Sequence, residues 1–80
     1  MNRLSEFIKS KNIEFHYINN KLNIINYDKI VFLGENKIIL LKDNKTISIV
    51  GECLSLLKLL DSEILIDGII KEIKIWKINI

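Results

Sequence analysis

The residues that could do chemistry in this chain are few and scattered. It has one histidine, His16, one cysteine, Cys53, and ten acidic residues. A protein metal site usually takes several His or Cys ligands at short spacing, and the sequence has no such cluster. Because His16 is in phase with the polar Glu14, we expect an exposed strand histidine and not a ligand. The sequence therefore predicts no metal and no cofactor.

The carboxylates and the thiol form no catalytic pattern. The sequence contains no Gly-rich phosphate loop, nucleophile elbow or HExxH helix. Asp67 interrupts an apolar run directly before Gly68, and a bend or a sheet edge explains it without catalysis. The apolar neighbours of Cys53 favour a buried, structural thiol. We therefore expect a protein that is not an enzyme.

An internal repeat organises the rest of the chain. The pattern isoleucine, any residue, then phenylalanine or isoleucine recurs every seventeen residues, beginning at Ile13, Ile30, Ile47 and Ile64. Three copies contain a glycine four positions after their start, at Gly34, Gly51 and Gly68. An isolated glycine in a strand pattern usually marks a bulge or a bend. We therefore expect structural bends at these three positions.

The repeat predicts a mostly β fold. Each copy supplies two short strands, about seven or eight in all, with polar turns between them. Two architectures fit: an antiparallel meander folded as a small sandwich or roll, and a short β-solenoid of 17-residue repeats. Residues 53–60 and 69–80 also have helical spacing or propensity, but the repeat assigns both to strands.

Composition and length predict one domain, residues 1–80. Residues 1–12 carry Leu4, Phe7 and Ile8 at helical spacing, which predicts a short N-terminal amphipathic helix before the β-repeat region, 13–80. No continuous apolar stretch predicts a signal peptide or a membrane span, so a cytoplasmic protein is expected. The net charge of +2 is spread over mixed charges. Without a basic block, no nucleic-acid partner is expected.

Several predicted strands are apolar on both faces, although a strand with one wet face should alternate. The second apolar face would be covered by the N-terminal helix, by a second sheet of the same chain or by another copy of the protein, and we favour another copy because surplus apolar faces on small domains commonly mark interfaces. The candidate interface residues are Leu40, Leu57, Leu59 and Trp76. Trp76 is included because tryptophan frequently anchors interfaces, and a role in the core is the alternative.

Five blocks carry a resemblance to a known family. They are LNIINY (22–27), IVFL (30–33), ISIVGECL (47–54), ILIDGII (64–70) and IKI (73–75). The chain resembles the YabP/YqfC family of small sporulation proteins of endospore-forming Firmicutes, whose paired motifs have the forms I-x-I-x-G-x-x-L and I-x-I-x-G-x-I. It departs from the family at Asp43-Asn44-Lys45, where a glycine is often found.

The resemblance implies a non-enzymatic protein of the mother cell or the spore envelope. It would contribute to spore envelope formation through self-association or by binding an envelope protein, with no catalytic residues to carry over. Two alternatives stay open: a small β-barrel that binds nucleic acid through exposed aromatics, and an inhibitory module that binds a protein through a sheet edge. Phe15 and Phe32, on the expected core face, count against the barrel.

Overall fold

The computed structural model describes residues 12–77, which form one sheet of six antiparallel strands. The strands are β1 (Glu14–Ile18), β2 (Lys21–Ile25), β3 (Lys29–Leu33), β4 (Lys37–Lys42), β5 (Lys45–Leu59) and β6 (Glu63–Lys77). Their spatial order is β1-β2-β6-β5-β4-β3. The antiparallel β prediction is confirmed, and the solenoid is excluded because its coils would stack in parallel. The predicted N-terminal helix lies outside the described residues.

The connection from β2 to β3 requires the sheet to fold over on itself. Only residues 26–28 join these strands, although β6, β5 and β4 lie between them in the sheet. Four strand spacings would hold them about 19 Å apart in a flat sheet. The chain from Ile25 to Lys29 reaches at most about 14 Å. The sheet therefore curls until β2 and β3 lie close together.

The two long strands divide the sheet into two half-sheets. The first half-sheet contains β1, β2, the start of β6 (63–67) and the end of β5 (55–59). The second contains β3, β4, the start of β5 (45–50) and the end of β6 (72–77). Since β5 and β6 each run through both, the two half-sheets are one continuous hydrogen-bonded structure.

The core lies between the two half-sheets. Within the described residues, the eight fully buried large side chains come from the two middle strands of each half-sheet: Leu22, Ile24, Ile64 and Ile66 from the first, and Ile38, Leu40, Ile47 and Ile49 from the second. They form one cluster, so the half-sheets pack face to face as a small sandwich. Leu40 is completely buried, and its prediction as an interface residue is wrong.

Glycines make the bends that carry β5 and β6 from one half-sheet to the other. A Cβ on Gly51 would lie 2.1 Å from the carbonyl oxygen of Ile69, and one on Gly68 would lie 2.7 Å from that of Cys53. Gly68 also has a φ of 133°, which side chains rarely allow. Because these glycines form bends inside continuous strands, residues 12–77 contain six strands and not the predicted seven or eight. Residues 53–59 and 69–77 are strands, as predicted.

The seventeen-residue repeat is structurally real in its last two copies. Ile47 and Ile64 occupy equivalent buried positions, as do Ile49 and Ile66, and the bends at Gly51 and Gly68 follow them.

The second copy falls out of register, because β3 has a bulge between Ile30 and Phe32. The bulge turns Phe32 to the outer face, where it is half-exposed, whereas Phe15 packs against the core. The prediction of Phe32 as a core residue is therefore wrong. Gly34 lies in the turn after β3, and its N–H donates to the carbonyl of Lys37 at 2.9 Å.

Asparagine and aspartate take left-handed positions in the tight turns. Asn19 and Asn20, between β1 and β2, have φ of 52° and 62°, and Asp43, between β4 and β5, has a φ of 55°. Short polar side chains tolerate this conformation better than others because they hydrogen-bond locally. Asp43 thus serves the turn in which a glycine is often found in the YabP/YqfC pattern.

Candidate interaction surface

The apolar face of each half-sheet extends beyond the part that is buried. On the core side, the outer strands carry Tyr17, Leu33, Leu59, Ile73 and Ile75, all substantially exposed. Ile73 pairs with Ile49 and Ile75 pairs with Ile47, so buried and exposed isoleucines are direct cross-strand neighbours. The core therefore continues to the margins of the sandwich without being covered by the described residues.

The end of β6 is the most regular of these margins. Residues 72–77 pair with residues 50–45 of β5 in six consecutive pairs without a register shift. Their opposite side has no backbone hydrogen-bond partner among residues 12–77, because β2 pairs with β6 only as far as Asp67. We call residues 72–77 the β6 edge. A free edge of this kind is a template for pairing with another strand.

The side chains of the β6 edge place charge and an aromatic ring on its outer face. Trp76 lies opposite Thr46 and is 48% exposed, and Lys74 lies opposite Ser48. The ammonium of Lys74 lies 3.8 Å from the carboxylate of Glu72 on the same face. Ile73 and Ile75, on the core face, are 38% and 49% exposed. Both faces of this edge thus offer apolar surface at the rim of the sheet.

A second apolar region surrounds the turn from β5 to β6. Leu57, Leu59 and Leu60 are each half-exposed there. A neighbouring open groove of about 800 Å³ is lined by Tyr27 to Ile30 and Leu59 to Glu63. The end of β5 has register shifts between Glu52 and Ser55 and between Leu56 and Lys58, which make its free edge irregular.

Tyr27 fixes the wall of this groove. Its hydroxyl donates to the carbonyl of Leu60 at 3.2 Å, while its ring is buried in the core. Burial raises the pKa of the Tyr27 hydroxyl above its ordinary value of 10.0, and the negative charges of Asp61 and Glu63 raise it further. Tyr27 is therefore a structural donor, protonated at neutral pH.

The structure separates the predicted interface residues. Leu57, Leu59 and Trp76 are exposed, with the two leucines near the β5–β6 turn and Trp76 on the β6 edge. They lie in different half-sheets and do not form one continuous strand margin. Ile73 and Ile75 are not among the predicted interface residues, because their regular alternation with Glu72, Lys74 and Trp76 is typical of a strand whose apolar face is fully covered.

Cys53 is exposed, and its prediction as a buried thiol is wrong. It has a φ of 54° within the irregular part of β5 after Gly51, and this backbone turns it away from the core. Leu54 is buried in its place. His16 is exposed as predicted, and its Nε2 lies 3.0 Å from the Glu14 carboxylate.

A polar contact ties the β2–β3 connection to the β4–β5 hairpin. The Asp28 carboxylate accepts from the N–H of Asp43 at 2.7 Å, and the Asp28 N–H donates to the carbonyl of Leu41 at 2.8 Å. The mostly buried ammonium of Lys42 lies 3.7 Å from Asp28. These contacts satisfy polar groups where the folded sheet closes on itself.

Among residues 12–77, no group of three or more His, Cys, Asp or Glu side chains is arranged to hold a metal ion. The same part of the chain has no helix with the length and apolar character needed to cross a membrane. Comparisons with protein-family models, curated proteins and solved structures give no match to this chain. The resemblance to the YabP/YqfC family therefore rests on the quoted sequence blocks alone.

Proposed function

We propose that this chain is a non-enzymatic assembly module that contributes to spore envelope formation. The observation that carries the proposal is the uncovered apolar margin of the sandwich, above all Ile73, Ile75 and Trp76 on the free β6 edge. Exposed apolar residues next to an unpaired strand are the features through which β domains bind other chains. The module would act in the mother cell or in the spore envelope.

The sequence blocks that resemble the YabP/YqfC family support the sporulation part of the proposal. Their two best motifs are the starts of β5 and β6 with the bends that follow, at Gly51 and Gly68. These motifs specify the folded core and not a reactive site. The resemblance therefore supports a structural role, and the exposed margins supply the surface for it.

The proposal is tested by deleting the gene in its sporulating host and scoring spore morphology and resistance. The expected result is a defective envelope, restored by the wild-type gene but not by variants that replace Trp76 or Ile75 with a charged residue. A matched control is Lys58→Ser, an exposed change far from the β6 edge, which should restore spores fully. Normal, resistant spores in the deletion strain would refute the proposal.

One observation favours a second candidate, a module that binds single-stranded nucleic acid. Phe32 and Trp76 are half-exposed on the same outer face, and Lys74 lies in one cross-strand row with Phe32 through Ile39 and Ser48. Exposed aromatics with a nearby lysine are the groups that stack bases and contact phosphates. A labelled single strand that shifts with the wild type at low salt, and not with Phe32→Ala, would support this candidate. No shift would exclude it.

A further inference from the structure

The free strand edges of the described chain differ in how readily they could pair with another strand. The β3 edge has a bulge between Ile30 and Phe32, and the end of β5 has two register shifts. Bulges and short lengths are the features by which proteins prevent edges from pairing. The β1 edge is regular but only five residues long. Of the free edges in the described part of the chain, the β6 edge alone offers six consecutive regular residues, which makes it the best template.

We propose that two copies of this chain pair through their β6 edges in antiparallel orientation, with a two-fold axis beside Ile75. The proposal deepens the assembly function proposed above and rests on it for its biological meaning. Pairing would join the two second half-sheets into one eight-stranded sheet across the axis. The strand that pairs with the β6 edge is that of a second copy, because the side chains of Lys74, Ile75 and Trp76 make this edge complementary to itself.

Symmetry limits the registers that are available. In an antiparallel pair, directly opposite residues point to the same face, so a two-fold axis must lie beside a residue and not between two residues. Register shifts end the regular ladder before Glu72, at the bend near Ile70. Within residues 72–77, only axes beside Lys74 or Ile75 allow five residue pairs.

Electrostatics selects between these two registers. An axis beside Lys74 places Lys74 directly against its own copy, and like charges in this position are destabilising. An axis beside Ile75 places Ile75 against its own copy and Lys74 against Trp76 of the other copy, twice. An ammonium over an indole ring is an attractive cation–π contact. An axis beside Ile73 would pair Glu72 with Lys74 but retains only three regular pairs.

The exposed side chains fit this arrangement. Ile75 and Trp76 are each about half exposed and lie on opposite faces of the edge, so pairing shields apolar surface on both faces at once. Lys74 keeps a charged partner, since Glu72 remains beside it on its own strand at 3.8 Å. The pair buries no isolated charge.

Cross-linking tests the register in the full-length chain with Cys53→Ser. Opposite residues in an antiparallel pair have Cα atoms about 5 Å apart, which is within the range that a disulfide spans. Ile75→Cys should therefore form a covalent dimer under mild oxidation. Ile73→Cys is the matched control, because its two copies would lie about 13 Å apart. A dimer from Ile73→Cys and not from Ile75→Cys would overturn the register proposed here.

Introducing a charge at Ile75 provides a second test that does not depend on oxidation. Ile75→Lys and Ile75→Glu should each abolish the dimer seen by light scattering, and an equimolar mixture should restore it. Circular dichroism should show that both variants keep the β fold, so that a lost dimer is not a consequence of unfolding. Unchanged dimers in both single variants, or a wild-type monomer, would refute pairing at this edge. If the wild type is a monomer but the deletion strain makes defective spores, pairing is refuted and the assembly function stands with a different partner. If the dimer is confirmed but the deletion strain makes normal spores, the assembly function is refuted and the pairing stands.

Discussion

Gly51 and Gly68 lie seventeen residues apart, at the two points where β5 and β6 bend from one half-sheet into the other. Each glycine packs against the backbone of the opposite long strand: Gly51 against Ile69 and Gly68 against Cys53. The half-sheets can pack face to face because β5 and β6 bend next to each other in the sheet. The bends are therefore the features on which the rest of the fold depends.

Gly51→Ala should destabilise the protein strongly, because its Cβ would overlap the carbonyl oxygen of Ile69. We expect the free energy of unfolding to fall by about 3 kcal/mol, measured by urea denaturation. Gly34→Ala is the control, since its Cβ meets the edge of the movable Phe32 ring and the cost should stay below about 1 kcal/mol. Equal effects of the two substitutions would contradict the assigned bend.

Leu40 and Leu57 should respond differently to truncation, although both were predicted as interface residues. Leu40 is fully buried between the half-sheets, so Leu40→Ala should lower the free energy of unfolding by about 2–5 kcal/mol. Leu57 is half-exposed, and Leu57→Ala should change it by less than about 0.5 kcal/mol. A large loss of stability with Leu57→Ala would mean that this residue is covered in the folded chain.

Tyr27 should make stability fall at high pH. Its pKa is raised in the folded state, so above pH 10 the unfolded chain loses this proton first and unfolding becomes easier. The contribution is fully present below pH 10.0 and is lost as the pH rises through the folded pKa.

Absorbance titration of a Tyr17→Phe variant, which leaves Tyr27 as the only tyrosine, measures this pKa directly. The expected value lies above 10.0. Tyr27→Phe serves as the control for unfolding experiments between about pH 9 and 11, because it isolates the contribution of the Tyr27 hydroxyl from other effects of pH. A wild type and a Tyr27→Phe variant with the same pH dependence would contradict the assigned burial of the hydroxyl.

Asp28 and Lys42 should show coupled effects on stability. Asp28→Asn removes the charge that faces the mostly buried Lys42 ammonium, and we expect a loss of about 1–2 kcal/mol. In a Lys42→Met background the same change should cost less, because no ammonium remains to be compensated. A double-mutant cycle with additive effects would show that the 3.7 Å contact contributes nothing.

Cys53 should react with a thiol reagent in the native protein without denaturant. It is exposed at the surface, so its rate of modification should be close to that of the unfolded chain. A thiol-specific reagent does not modify His16, so the measured rate is that of Cys53. Protection of the thiol in the folded state, released only by urea, would show that Cys53 is covered.

The sequence repeat predicts the buried residues and the bends of its last two copies correctly, because alternation and glycine placement are local signals. Ile47, Ile49, Ile64 and Ile66 all lie in the core, at the positions that their spacing required. The bulges beside Val31 and Cys53 had no such signal. One inserted residue reverses the faces that follow, so Phe32 and Cys53 were assigned to the wrong side.

The pairing of β2 with β6 also could not be predicted from local sequence patterns. Paired residues of these strands lie between 38 (Ile25 and Glu63) and 46 (Lys21 and Asp67) positions apart in sequence, and their register depends on the packing of the core. The exposure of Ile73 and Ile75 follows from that packing, because no strand of the first half-sheet covers the end of β6. Exposed margins of this kind depend on tertiary packing and cannot be identified from alternation in sequence.

We propose that this small sandwich associates through its uncovered apolar margin. The most direct test is the mass of the wild-type protein, measured by size-exclusion chromatography with light scattering over a wide range of concentrations. The mass should rise from 9.4 kDa toward twice that value as the concentration increases. A mass of 9.4 kDa at every concentration would contradict self-association.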